Sequence, residues 1–166
     1  MRYFLIGFMG SGKSIVGEIV AKQLHLKHID LDDFIEEEEQ RSISDIFNNN
    51  GETYFRELEK KYLNEIIKEI DILVSTGGGT PTHNNLMDTM NEVGETIYLK
   101  CSTDVLFKRL QNNKENRPMI SEFSEESLNI YIENKLSERT FFYKKATHTI
   151  CNDKEDCSKY IVNLLR

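Results

Sequence analysis

The chain has 166 residues, 39% of them hydrophobic and 30% charged, which suits one globular domain with a buried core. Its 21 basic and 28 acidic side chains leave a net charge of −7, which argues against non-specific nucleic-acid binding, since that needs a basic face. No apolar run approaches a membrane span, so no membrane partner is expected.

The chain opens on Arg2-Tyr3-Phe4-Leu5-Ile6, a short apolar run that predicts a buried strand. Since Met1 leads straight into it, no cleavable leader is expected. Gly7-Phe8-Met9-Gly10-Ser11-Gly12-Lys13-Ser14 follows and fits the phosphate-loop pattern: Gly, four residues, Gly, Lys, Ser. Glycines allow a tight turn whose N–H groups face phosphate oxygens. The lysine adds a point charge, and the hydroxyl can ligate Mg²⁺. From Lys13 to Leu24, apolar Ile15, Val16, Ile19, Val20 and Leu24 recur at helical spacing. Strand, glycine loop and helix start are the context the motif needs, with the helix N-terminus beneath the phosphates. The loop is read as a nucleoside triphosphate site.

Lys27 to Asp30 predicts a second strand, delivering Asp30 and Asp32 at its C-terminal end. An acidic helix is expected from Asp33 to Gln40, then a short helix capped by Ser42 through Phe47. Asn48 to Gly51 should break the chain. Glu52 to Ile70 predicts a long helix with Phe55, Leu58, Tyr62, Ile66 and Ile70 on one stripe. A third strand, Ile72 to Ser75, runs into Thr76-Gly77-Gly78-Gly79. A helix over 84–90, a strand over 96–99 and a helix through Leu110 capped by Ser102 or Thr103 come next. Residues 111–123 are polar, carry Arg117-Pro118 and lack periodicity, which predicts a mobile segment. Ser124 should cap a helix to about Tyr143, before a fifth strand over 147–151 and a closing helix over 157–166.

Strands alternating with helices imply α/β architecture: a central five-stranded parallel sheet with helices on both faces. Ligands in such sheets sit at the strands' C-terminal ends, where the loop, Asp30/Asp32 and the glycine triplet converge. Cys101, Cys151 and Cys157 form no CxxC pair and read as reduced thiols of a cytoplasmic protein. His25, His28, His83 and His148 show no ligand spacing. Phosphoryl transfer also needs a carboxylate near the cation, and phosphate-loop enzymes usually carry it on a strand. The third strand ends without one, so Asp30 is placed to substitute and Asp32 is left for the acceptor.

These residues resemble the shikimate kinases over essentially the whole chain, within the phosphate-loop kinase superfamily. The family's Asp-x-Asp is Asp30-Leu31-Asp32, and its Gly-Glu-x-x-Phe-Arg-x-x-Glu runs from Gly51 through Phe55-Arg56 to Glu59. Its glycine triplet is Gly77-Gly78-Gly79, its lid Arg-Pro is Arg117-Pro118, and its late-helix arginine is Arg139. The resemblance implies transfer of the ATP γ-phosphate to the 3-hydroxyl of shikimate, in the chorismate route to aromatic amino acids. Gly10, Ser11, Gly12, Lys13, Ser14 and Ile15 would contact the nucleotide, with Arg109 stacking on adenine. Ser14 and Asp30 would hold Mg²⁺. Asp32 would accept hydrogen bonds from the ring hydroxyls, including the attacking one. Arg56, oriented by Glu59, and Arg139 would grip the carboxylate through planar, two-pronged pairing, with the triplet giving close backbone approach. Lys13, Asp32 and Arg117 would carry catalysis, within an acceptor region of about 32–62 and a lid of about 111–123. A monomer is implied. Two departures stand out: Phe141-Phe142-Tyr143 where the family often has Pro-Leu-Tyr, and a lid about one residue longer. The competing readings are another small-molecule kinase, acting on gluconate or a nucleoside monophosphate, and a non-catalytic nucleotide-binding module.

Overall fold

In the computed structural model, which describes residues 1–113, 120–154 and 157–166, five strands form one parallel sheet. They are β1 (Arg2–Ile6), β2 (Lys27–Asp30), β3 (Ile72–Ser75), β4 (Glu95–Lys100) and β5 (His148–Cys151), in the order β2-β3-β1-β4-β5. Side chains alternate across a strand, and both sheet faces are apolar. Tyr3 and Leu5 pack on one side with α1 (Lys13–Leu24) and α7 (Ser158–Leu165), through Val16, Val20, Ile161 and Val162. Phe4 and Ile6 pack on the other, where α2 (Leu31–Glu39), α3 (Ile43–Ile66), α4 (Leu86–Val93), α5 (Thr103–Asn112) and α6 (Glu125–Tyr143) supply the larger core. The expected three-layer architecture is found.

Several boundaries differ for local physical reasons. Helix α2 starts at Leu31, not Asp33, because Asp30 caps it by accepting from the Asp32 N–H at 3.1 Å. The break expected over 48–51 narrows to one residue. The helix runs through the three asparagines, and only Gly51, at φ 81° and ψ 173°, leaves helical geometry. That left-handed φ suits glycine, and it divides α3 at the kink into two helical stretches, the second starting at Glu52 as expected. Ser42 and Ser124 cap α3 and α6 as expected, each accepting from the N–H three residues on. Phe55, Leu58, Tyr62 and Ile66 are buried, but Ile70 lies past the helix end and is 67% exposed. There the chain is turning into β3, whose Ile72 N–H bonds the Met1 carbonyl at 3.2 Å. Ile15, expected on the packed stripe of α1, is exposed and faces a cleft instead.

Candidate active site

At the C-terminal edge of the sheet, the loop between β1 and α1 borders a cleft of about 820 Å³. Gly10 and Gly12 take left-handed φ values of 80° and 94°, a backbone that glycine enters without the Cβ penalty. Ser11, Lys13, Ser14 and Ile15 share the loop and the first turn of α1; Lys13 and Ser11 are buried, Ser14 and Ile15 exposed. The Lys13 ammonium is folded over its own loop, donating to the carbonyls of Gly7 at 2.9 Å and Phe8 at 3.0 Å.

The third strand ends in Ser75, where a carboxylate was expected to be missing. Its buried hydroxyl donates to the Lys13 carbonyl at 3.0 Å and meets His28 Nε2 at 2.9 Å. Asp30 stands directly across from Ser75 in the neighbouring strand. Its Oδ2 accepts from the Ser14 hydroxyl at 2.5 Å while its Oδ1 caps α2. The acid has therefore moved one strand sideways. A hydroxyl beside a carboxylate, both open to the cleft beside the glycine loop, is a hard oxygen donor pair of the kind Mg²⁺ takes.

In the first turn of α2, Asp32 is half-buried, and its buried Oδ1 has no hydrogen-bond partner among the described residues. Burial, then the nearby carboxylates of Glu59 and Asp30, pushes its pKa up to about 7 against the opposing pull of Lys13 and Arg56. An aspartate poised near neutrality and left unsatisfied is suited to accept a proton or hydrogen bond from a hydroxyl.

Arg56 and Arg139 come from different helices and meet over the glycine triplet. A Cβ on Gly79 would lie 2.6–2.8 Å from the Arg56 guanidinium, and one on Gly78 would lie 3.2 Å from Arg139 Nη1. A Cβ on Gly77 would lie 3.0 Å from Asp32 Oδ1. The triplet is thus the floor on which all three groups converge, and a side chain there would crowd them. Arg56 donates to fully buried Glu59 at 2.7 Å, and the second Glu59 oxygen accepts from the Thr80 hydroxyl. Arg139 lies 5.5 Å from the centre of the Phe8 ring and has no carboxylate partner among the described residues. Both arginines line an adjoining cavity of about 580 Å³ that also touches Glu52, His83 and Lys135, whereas Asp32, Gly77 and Gly78 line the cleft beside the glycine loop.

The chain from Met9 to its last residue, 9–166, matches the family model described as shikimate kinase. The chain belongs to the shikimate kinase family. It is 42% identical to the shikimate kinase of Phocaeicola vulgatus over 160 residues, covering 96% of this chain and 91% of that one. The crystal structure of the shikimate kinase from Bacteroides thetaiotaomicron superposes with a TM-score of 0.95 at 35% identity, covering 99% of this chain and 98% of that one. The Acinetobacter baumannii shikimate kinase, solved in complex with shikimate, superposes at 0.90 with 27% identity, covering 99% and 92%. Membership of the family makes the chain an ATP-dependent kinase, and the non-catalytic reading drops away.

Arg109 of α5 reaches the same cleft, its guanidinium donating to the carbonyls of Asn152 at 2.8 Å and Gly10 at 3.3 Å. Arg117 and Pro118 fall within 114–119, outside the described residues. Beyond them Ile120 is fully buried, and Phe123 stacks edge-on against Tyr131 at 5.2 Å. Three participants escaped the sequence reading. Thr80 follows the triplet directly and fixes Glu59. Asn152, just past β5, donates to the Ser11 carbonyl at 2.8 Å; its place at a strand's C-terminal end was the available signal. Tyr143 donates to the Gly78 carbonyl at 2.5 Å, and its position four residues after Arg139 put both on one helix face.

Proposed function

We propose that the chain transfers the γ-phosphate of ATP to the 3-hydroxyl of shikimate, giving shikimate 3-phosphate and ADP. The acceptor is seated between Asp32 and the arginine pair. The observation that carries this is the pairing of a carboxylate whose buried oxygen is unsatisfied with two guanidinium groups across the triplet. Such a site fits a small acid bearing hydroxyls at one end and a carboxylate at the other. The shikimate held by the Acinetobacter baumannii relative has that chemistry.

In this reading Gly10, Ser11, Gly12, Lys13, Ser14, Ile15 and Arg109 bind the nucleotide, Lys13 leaving its loop carbonyls for the phosphates. Ser14 and Asp30 would hold Mg²⁺, which neutralises charge on the β- and γ-phosphates when bound. Arg56 and Arg139 take the carboxylate, and Gly77, Gly78 and Gly79 admit the ring against the backbone. Asp32 accepts from the attacking hydroxyl, whose oxygen forms the new bond to phosphorus as the bond to the ADP oxygen breaks. The hydroxyl proton passes to Asp32. Phosphoryl transfer has a loose transition state, so this contact positions the nucleophile as much as it activates it. Arg117 completes the catalytic set by the family resemblance.

We further read the chain as a single-domain monomer in the cytoplasm, with no nucleic-acid or membrane partner. The acidic net charge of −7 and three cysteines outside any disulfide are in keeping with that. A coupled assay of ADP release with shikimate, gluconate and nucleoside monophosphates tests the acceptor. Turnover is expected with shikimate alone; equal turnover with gluconate or a nucleotide would overturn the assignment.

A further inference from the structure

Arg56 is not waiting empty for an acceptor. Its Nε and Nη2 both donate to one oxygen of Glu52, at 3.2 and 2.8 Å, while Nη1 donates to Glu59 at 2.7 Å. Three of the five guanidinium N–H groups are therefore already committed to carboxylates. The two partners differ in kind. Glu59 is fully buried, with its other oxygen held by Thr80. The Glu52 side chain is 59% exposed and lines the cavity that Arg56 and Arg139 share. It also sits immediately after Gly51, the one non-helical residue of α3. One carboxylate is built in, and the other is exposed and stands at the kink.

The free edge of Arg56 is also constrained from the other side. Its guanidinium packs over Gly79 and lies 5.4 Å from the Phe55 ring centre, contacts that a rotation to present a fresh edge would have to give up. The Nε–Nη2 pair is the two-pronged fork that a carboxylate prefers, and Glu52 occupies it. The pairing also holds the Glu52 carboxyl below the ordinary glutamate range, so it stays anionic at neutral pH.

We propose that Glu52 is a positioning residue that stands in for the acceptor's carboxylate, holding the Arg56 fork in register until the acceptor displaces it. The inference rests on the reading that Arg56 grips the acceptor through its carboxylate. Its consequence is selectivity. A ligand must out-compete a resident anion, so a carboxylate acceptor succeeds where a neutral polyol or amide of the same shape fails. Because Glu52 is largely exposed, its hold is weak and it yields to a well-oriented ligand. Arg139, with no carboxylate partner among the described residues, supplies the net attraction.

The test is Glu52→Gln, which keeps the side chain's size and removes its charge. Steady-state kinetics are run with shikimate and with its carboxamide, with KM for ATP as the internal reference. The expected result is KM for shikimate lowered about 2- to 5-fold, the range an exposed ion pair commands. KM for ATP should move less than about twofold, and discrimination against the carboxamide should shrink. A raised or unchanged KM for shikimate would overturn the proposal; a rise would make Glu52 a second fixed clamp, with the acceptor on the remaining N–H groups. The wild-type comparison keeps the two readings separate. If wild-type enzyme handles acid and carboxamide alike, the carboxylate grip itself fails. If it prefers the acid but Glu52→Gln does not tighten binding, only the displacement idea fails.

Discussion

Asp32→Asn should damage turnover and, at alkaline pH, stabilise the fold. In the folded chain the Asp32 carboxyl titrates at about 7, against an ordinary value of 3.8. Between those two values the native state keeps a proton that the unfolded chain has lost. Unfolding therefore releases a proton, and the stability associated with Asp32 falls as pH rises from about 4 through 7. A shift of about three units at 1.36 kcal/mol each sets a ceiling of about 4 kcal/mol on that loss. Asparagine carries no charge at any pH. The unsatisfied Oδ1 means that the substitution removes no hydrogen bond from that oxygen. Chemical denaturation at pH 8 should show the variant more stable by a sizeable part of that ceiling, with the gain shrinking as pH falls and vanishing below about pH 4. Turnover at pH 8 should drop at least about 100-fold through lost positioning and basicity. In the wild-type enzyme, kcat/KM for the acceptor should fall about tenfold between pH 7 and 5.8, because only the ionised carboxylate accepts the hydroxyl's proton. Near-normal turnover in the variant, or a stability gain independent of pH, would refute the reasoning.

Arg139→Ala removes a charge-assisted contact worth about 1.5–3 kcal/mol, so acceptor binding should weaken roughly 10- to 150-fold; calorimetry with ATP should show little change. Asp30→Asn should raise the Mg²⁺ concentration needed for half-maximal rate, read by titrating the cation at saturating ATP, and an unaltered requirement would exclude Asp30 as a ligand. Gly79→Ala puts a methyl 2.6–2.8 Å from a guanidinium held by buried Glu59. Crowding of that kind costs about 1–3 kcal/mol, so acceptor affinity should fall in a binding assay while the nucleotide still binds.

The layered architecture was legible because its signals are local and repetitive. Apolar runs alternate with 3.6-residue periodicity, and glycines mark the strand-to-helix turns. Helix ends were legible where a serine stood ready to cap, as at Ser42 and Ser124. They were misjudged where the ending depended on the next element, as at Ile70, which periodicity assigns to α3 but the turn into β3 leaves exposed. The candidate site residues could be named because each follows a strand or lies in a patterned motif. What the sequence could not reveal was contact between distant segments: Thr80 closing on Glu59, Tyr143 reaching the Gly78 carbonyl, and Glu52 already seated on Arg56.

Asp30 shows why local and functional readings need not compete. Taken alone, an aspartate at the end of a strand and the start of a helix is most simply a cap, and it is one: Oδ1 accepts from the Asp32 N–H. The same capping bond fixes the carboxylate's orientation, leaving Oδ2 aimed at the Ser14 hydroxyl across the cleft. It also ties down the backbone of Asp32, the group left to face the acceptor. The proposed cation ligand and the proposed nucleophile-orienting group are thereby set two residues apart by one hydrogen bond. Moving the acid sideways from β3 to β2 leaves Ser75 free to brace the start of α1 through the Lys13 carbonyl, so the displacement that hid the carboxylate from the usual pattern also couples the proposed metal site to the proposed acceptor site.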